Sequence, residues 1–251
     1  MSEFTLEDFV MDEETIPDFD DVQIKRLHNI WASEMNGCAR KLEHRIYGEI
    51  EPLKKHFLSH RGSVVHRHVE NVINKTSEPT YIDRYPEYKE QIVKSLPMLE
   101  DNAQDWMETT EIDMTEAEAE VKFRMDIGAG YQITRTIDLL TPTHIIDFKS
   151  GKKRNDVSKR IELAISRRIM LEVDGIDRKC LLVFLGHPEG AVELYPFDSK
   201  RTTLEKTEED LDLAIQTTIA SRELIRTGKK TPLKSSFLCT MCEYRHECFG
   251  I

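Results

Sequence analysis

The run EVKFRMDIGAGYQITRTIDLLTPTHIIDFK, residues 120–149, restricts the fold more than any other part of this chain. Apolar and polar residues alternate with period two, GAG and TPT interrupt the pattern, and HIIDFK closes it as a short apolar stretch. Three consecutive antiparallel strands satisfy that pattern. A helix is expected next over 156–173, stopped at Asp174-Gly175, then two strands, CLLVFLG and AVELYPF, joined by HPEG, and a helix over 207–226. Ahead of the run, helices are expected over 22–47 and 54–75, the second carrying Val65, Val69, Val72 and Ile73 at helical spacing. The order α-βββ-α-ββ-α implies an α/β fold, a mixed central sheet flanked by helices.

Charge divides the chain further. The net charge is −11, yet residues 1–21 hold nine Asp/Glu and no Lys/Arg, and residues 98–120 hold nine more, again with no base. The remainder carries a positive excess, concentrated over Arg40–Arg67 and Lys149–Arg168, so binding to a polyanion is compatible with the acidic total. The expected organisation is an acidic flexible tail (1–21), N-terminal helices (22–75), an acidic insertion of Pro-punctuated short helices (76–120), an α/β core (121–200), and a C-terminal helix with a cysteine segment (201–251). No apolar run reaches the length of a membrane span, and MSEFTLEDFVMDEET is acidic where a signal peptide is basic. A soluble, cytoplasmic protein without a membrane partner is expected, with its thiols kept reduced.

Strand alternation puts Asp147 and Lys149 on one face and directs Phe148 into the core. The short LTPTH turn brings Asp138 on the neighbouring strand within reach. Two carboxylates and a lysine suit phosphodiester hydrolysis: hard oxygens hold Mg2+ or Mn2+, the metal activates water, and the ammonium orients that water or balances charge. The plain alternative is a surface ion pair of small value. His66 shares a helix face with Gly62 and Glu70, and Glu162 shares one with Ser166. His66 reads either as a satisfied half-buried histidine or as a further ligand, and Glu162 either as a salt-bridge partner or as a member of the site. Near the C-terminal end, Cys239, Cys242 and Cys248 have the spacing of a metal site, open by spacing alone to tetrahedral zinc or an iron–sulfur cluster. Cys180, in an apolar strand, reads as a buried, inert residue.

Together these residues resemble the PD-(D/E)XK nuclease superfamily, and within it the RecB-like iron–sulfur exonucleases associated with CRISPR loci, to which the AddB nuclease domain is similar. The likeness rests on Cys38-Ala-Arg40, Gly62-x3-His66-x3-Glu70, Asp138, Asp147-Phe148-Lys149 and Cys239-x2-Cys242-x5-Cys248, in that order. It departs from the family where Q-x-x-x-Y is expected and Glu162-x-x-x-Ser166 stands. The resemblance implies a restriction-endonuclease-like core whose two ends are joined by a 4Fe-4S cluster on Cys38, Cys239, Cys242 and Cys248. It implies Mg2+ or Mn2+ on His66, Asp138, Asp147 and the Phe148 carbonyl, with Lys149 and Glu162 completing the catalytic set. Arg40, Lys152, Lys153, Arg154, Arg160, Arg167 and Arg168 are the expected phosphate contacts. The implied activity is exonucleolytic, on single-stranded DNA ends, 5′ to 3′, in CRISPR spacer processing or end resection alongside CRISPR adaptation or recombination proteins. The alternative is a non-catalytic DNA-end-binding or scaffolding iron–sulfur subunit.

Overall fold

The computed structural model describes residues 17–35, 37–48, 57–76, 88–153, 157–198, 202–232, 239 and 242–249. The acidic stretch 1–16 and Arg154 lie outside the described residues. The elements in chain order are α1 (Asp21–His28), β1 (Asn29–Trp31), a 3-10 turn (Ala32–Glu34), α2 (Ala39–Tyr47), α3 (Phe57–Asn74) and α4 (Lys89–Thr109). There follow β2 (Glu118–Asp126), β3 (Gln132–Leu140), β4 (His144–Lys149), α5 (Val157–Asp174), β5 (Lys179–Phe184), β6 (Val192–Leu194), α6 (Leu204–Arg226) and α7 (Arg245–Phe249).

The expected meander of β2, β3 and β4 is present, and α5 carries the chain to β5, which runs parallel to β4. With β6 antiparallel to β5 and β1 parallel to β3, the sheet is mixed. One face packs on α5 and α6 through Ile133, Ile161, Ile165 and Leu211; the other packs on α3 and α4 through Val65, Val69, Leu99, Ala103 and Trp106. Phe148 is fully buried on that second face, its ring edge-on to Trp106 at 5.3 Å.

Two expectations need correction. The stretch 22–47 is not one helix: Asn29–Trp31 leaves it to pair with β3, too short a strand for period two to declare itself. Of the stretch 76–120, residues 77–87 lie outside the described residues, and 89–109 form one helix, α4, where short ones were expected. Pro97 sits inside α4, and the carbonyl it leaves without a donor is that of Val93, a residue 46% exposed, where water can take the amide's place. Acidic though it is, α4 is a layer of the core. Its buried Asn102 donates to the carbonyls of Leu185 (2.7 Å) and His187 (2.8 Å), and Trp106 Nε1 donates to Glu193 at 2.7 Å.

The two ends of the described chain meet through the protein itself. Arg222 of α6, fully buried, donates to the carbonyls of Arg26, Leu27 and Asn29 where α1 ends, and pairs with Glu34 at 2.8 Å. Those carbonyls lack helical partners, and a cation there also meets the negative end of the helix dipole. Tyr47 donates to the Ile225 carbonyl at 2.9 Å, and Glu43 accepts from the Thr231 amide at 2.8 Å.

If α4 is integral, truncating its buried Leu99 to Ala costs about 2–5 kcal/mol of unfolding free energy. Urea denaturation checks this; an unchanged midpoint would mark α4 as a surface addition.

Candidate metal and catalytic site

The site exists because β3 and β4 part company. β2 pairs with β3 along its length, so β1 and β4 share the other edge of β3. β1 takes residues 132–134 and β4 only Leu139 and Leu140, which leaves Arg135 to Asp138 without a strand neighbour on that side among the described residues. Asp138 bridges the gap: its Oδ2 accepts from the Phe148 amide at 2.8 Å, replacing a missing ladder bond with a side chain.

A second irregularity lies opposite. Glu120 has φ 55°, the left-handed region, in the middle of β2. At this step the side-chain alternation slips on both strands together. Val121 and Ile137 pack toward α5, whereas Leu139 packs toward α3 and α4. Such a conformation costs on the order of 1–3 kcal/mol in a non-glycine residue and clusters at functional sites.

The gap lets residues from both faces of the sheet meet. From the α3 face, His66 Nδ1 lies 3.5 Å from Glu120 Oε1 and 3.5 Å from Asp138 Oδ1. His66, Glu120 and Asp138 form a donor group with all ligand atoms within 4.8 Å of one another. Glu120 Oε1 is buried and faces His66 Nδ1, beyond ordinary hydrogen-bond length, as befits an oxygen that could share a cation with that imidazole. One imidazole and two carboxylates fit Mn2+ or Mg2+. The other His66 nitrogen, Nε2, lies 3.2 Å from the Phe148 carbonyl, so that oxygen already has a partner.

On the α5 face, Asp147 is 2% exposed, and both its oxygens meet cations: Arg135 at 2.8 Å on Oδ1 and Lys149 at 2.5 Å on Oδ2. Glu162 Oε2 lies 3.6 Å from Lys149 and 3.9 Å from Arg135. Burial would raise the carboxyl of Asp147, but Lys149 and Arg135 outweigh it and hold it low. Burial also raises Asp138, and His66 only partly offsets this, so Asp138 stays above the usual carboxylate range. Burial would lower His66, yet Asp138, Glu120 and Asp147 overcome it and lift it to about 9.

The structure thus gathers His66, Asp138, Asp147, Phe148, Lys149 and Glu162. Glu120 and Arg135 join them unannounced. Glu120 looked like one more acid in an acidic run, and Arg135 like one more polar residue in an alternating strand; only the register opposite Asp138 could have singled out the first. Glu70 lies elsewhere, paired with Arg67 at 2.6 Å.

Several expected phosphate contacts are spent inside the protein. Arg167 holds Asp177 through two bonds of 2.6 Å, and Arg168 holds Glu208 and Asp212, tying α5 to α6. Arg40 pairs with Glu43 at 2.9 Å and donates to the Thr231 carbonyl. Lys152 and Lys153 are exposed just beyond β4, and Arg160 on α5 is partly buried.

Cys248 has its thiol raised first by burial, then by Cys38 and Cys242, with Cys239 adding a smaller push. These four cysteines are near enough to act on one another, although no three of them bring their sulfurs within 4.8 Å. Cys180 is buried against α5, its thiol pushed up to about 12 by burial, as an inert residue should be.

No family model and no curated protein matches this chain. A solved structure of a candidate exonuclease from Eubacterium rectale is similar at a TM-score of 0.50 and 12% identity, covering 94% of this chain and 91% of that one. Another, of the protein SSO0001, is similar at a TM-score of 0.45 and 14% identity, covering 91% and 94%. The first likeness is one of fold: a mixed sheet flanked by helices.

The lifted His66 makes a pH prediction. Its pKa is about 9 here against 6.5 ordinarily, so its contribution to stability is complete below pH 6.5 and lost as pH rises through about 9. Thermal melts of metal-free protein should show that decline, and His66→Gln should flatten it. An equal decline in the variant would place the titration elsewhere.

Proposed function

We propose that the protein is a metal-dependent nuclease with a restriction-endonuclease-like core, acting as an exonuclease on single-stranded DNA ends in the 5′ to 3′ direction. The observation that carries this reading is the donor set His66, Glu120 and Asp138 set in the strand gap beside Asp147 and Lys149. The name borne by the solved structure of similar fold agrees with it.

Mg2+ or Mn2+ held by His66, Glu120 and Asp138, with Asp147 and the Phe148 carbonyl alongside, would acidify a bound water and offset phosphate charge. To serve as a ligand through Nδ1, His66 would give up the proton on that nitrogen and keep Nε2–H on the Phe148 carbonyl. Lys149 keeps its proton: burial favours losing it, but Asp147, Glu162 and Asp138 prevail. It is therefore a donor, orienting the attacking water and facing the phosphate, not a base. Glu162, whose Oε2 lies 3.6 Å from Lys149 Nζ, would take the water's proton. Lys152, Lys153 and Arg160 are the phosphate contacts of choice, so affinity falls steeply with salt.

Cys38, Cys239, Cys242 and Cys248 are proposed to carry a 4Fe-4S cluster. Four thiolates fit either tetrahedral zinc or an iron–sulfur cluster, and what supports the cluster is the resemblance of the cysteine pattern to that of the RecB-like iron–sulfur exonucleases. The setting is cytoplasmic, in CRISPR spacer processing or end resection with the corresponding adaptation or recombination proteins. Among the described residues no helix is long and apolar enough to cross a membrane. One observation favours a non-catalytic DNA-end-binding subunit instead: both oxygens of Asp147 are already engaged by cations.

The test is oxygen-free protein incubated with 5′- or 3′-labelled single-stranded DNA and Mn2+. Stepwise loss of nucleotides from the 5′ end is expected, slowed about 100-fold or more in Lys149→Ala. Binding without cleavage under Mg2+ and Mn2+ alike would favour the non-catalytic subunit.

A further inference from the structure

Arg135 has no part in the chemistry just described, yet it is built into the site. It lies on the stretch of β3 without a strand neighbour, its side chain 11% exposed. Its fork is held on three sides. Nε donates to Ser166 Oγ at 3.0 Å, one terminal nitrogen donates to Asp147 Oδ1 at 2.8 Å, and the other lies 3.9 Å from Glu162 Oε2. Ser166, fully buried on α5, donates its own proton to the Glu162 carbonyl at 2.9 Å, which leaves its oxygen free to accept from Arg135. A bulky residue at 166 would fill the place of the guanidinium. Stability alone does not ask for this arrangement, because an apolar side chain would fill the space between β3 and α5 without the cost of desolvating a cation.

The charges around the gap supply a reason. Among the described residues, four carboxylates, Glu120, Asp138, Asp147 and Glu162, face two permanent cations, Arg135 and Lys149, along with a His66 that must be neutral to bind metal. One divalent ion brings this cluster to neutrality, and a second would overshoot it. Sites holding two ions place them about 3.5–4 Å apart and clamp both through shared ligands. Asp147 is the carboxylate positioned for sharing, but Arg135 and Lys149 hold its two oxygens.

We infer that Arg135 is a positioning residue that fixes the site at one divalent cation, occupying Asp147 Oδ1 and supplying the charge that a second ion would bring. This rests on the metal-dependent nuclease reading and adds the stoichiometry of its metal. Ser166 is the anchor that makes the arrangement possible, which accounts for a small hydroxyl residue in the buried position facing the site.

The test counts bound ions, not turnover. Full-length protein freed of divalent metal is titrated with Mn2+, the free ion being measured by its paramagnetic resonance signal. Wild type should bind one ion. Arg135→Gln and Arg135→Met, the latter keeping side-chain length in apolar surroundings, should each bind two, the first about tenfold more tightly than wild type. Arg135→Lys, which restores the charge, should return to one. Near-ultraviolet circular dichroism shows which variants are folded, and either uncharged variant suffices. A folded uncharged variant that binds one ion with wild-type affinity overturns the assignment, as does wild type binding two; both outcomes leave the nuclease reading standing. Wild type that binds no Mn2+ overturns the metal reading itself and this inference with it.

Discussion

The bond from the Phe148 amide to the Asp138 carboxylate is the point on which the site turns. In an uninterrupted antiparallel pair, that amide would bond to the backbone of β3, and Asp138 would point to one face of a closed sheet. Here the strands separate after two residue pairs, and the carboxylate closes the opening with its own oxygen. A closed sheet keeps residues on its two faces about a sheet's thickness apart. An open one lets His66, from the helix layer on one side, reach the same carboxylate that feels Lys149 and Arg135 from the other. Hence a histidine and a lysine on opposite sides of a sheet act in one electrostatic unit.

The surrounding structure supports that opening. Phe148 is clamped by Trp106 and the α3–α4 layer, so its backbone cannot slide back toward β3. β1 occupies the far part of the β3 edge and defines where the gap ends. The left-handed Glu120 absorbs the slip in alternation on the neighbouring strand and turns its carboxylate toward His66. Strain at one residue thus coincides with a buried carboxylate held against an imidazole, the combination expected where a fold is shaped for a ligand and not for stability alone.

Much of this was legible in the sequence, and the exceptions have physical causes. Period two marked β2 and β3, HIIDFK stood out as an apolar run because β4 is buried on both faces, and strand alternation placed Asp147, Phe148 and Lys149. His66 stood on a visibly amphipathic helix. The helix α4 was hidden because its proline and its acids lie on exposed turns, while the residues that matter, Leu99, Ala103 and Trp106, are spaced by three and four among them. Arg167 and Arg168 read as a basic patch, since a sequence does not show that Asp177, Glu208 and Asp212 will come to meet them. Arg135 and Glu120 were silent for the same reason: their roles depend on where two strands part, which no local pattern encodes.

The most direct test of this account is to locate the ion. Crystals grown with Mn2+ and measured for anomalous scattering should show one peak in the gap between β3 and β4, at bonding distance from His66, Glu120 and Asp138. Nδ1 of His66 should face the ion with Nε2 still on the Phe148 carbonyl, and Arg135 should remain on Asp147. A gap without a peak would contradict the claim that the parting of these strands builds a metal site.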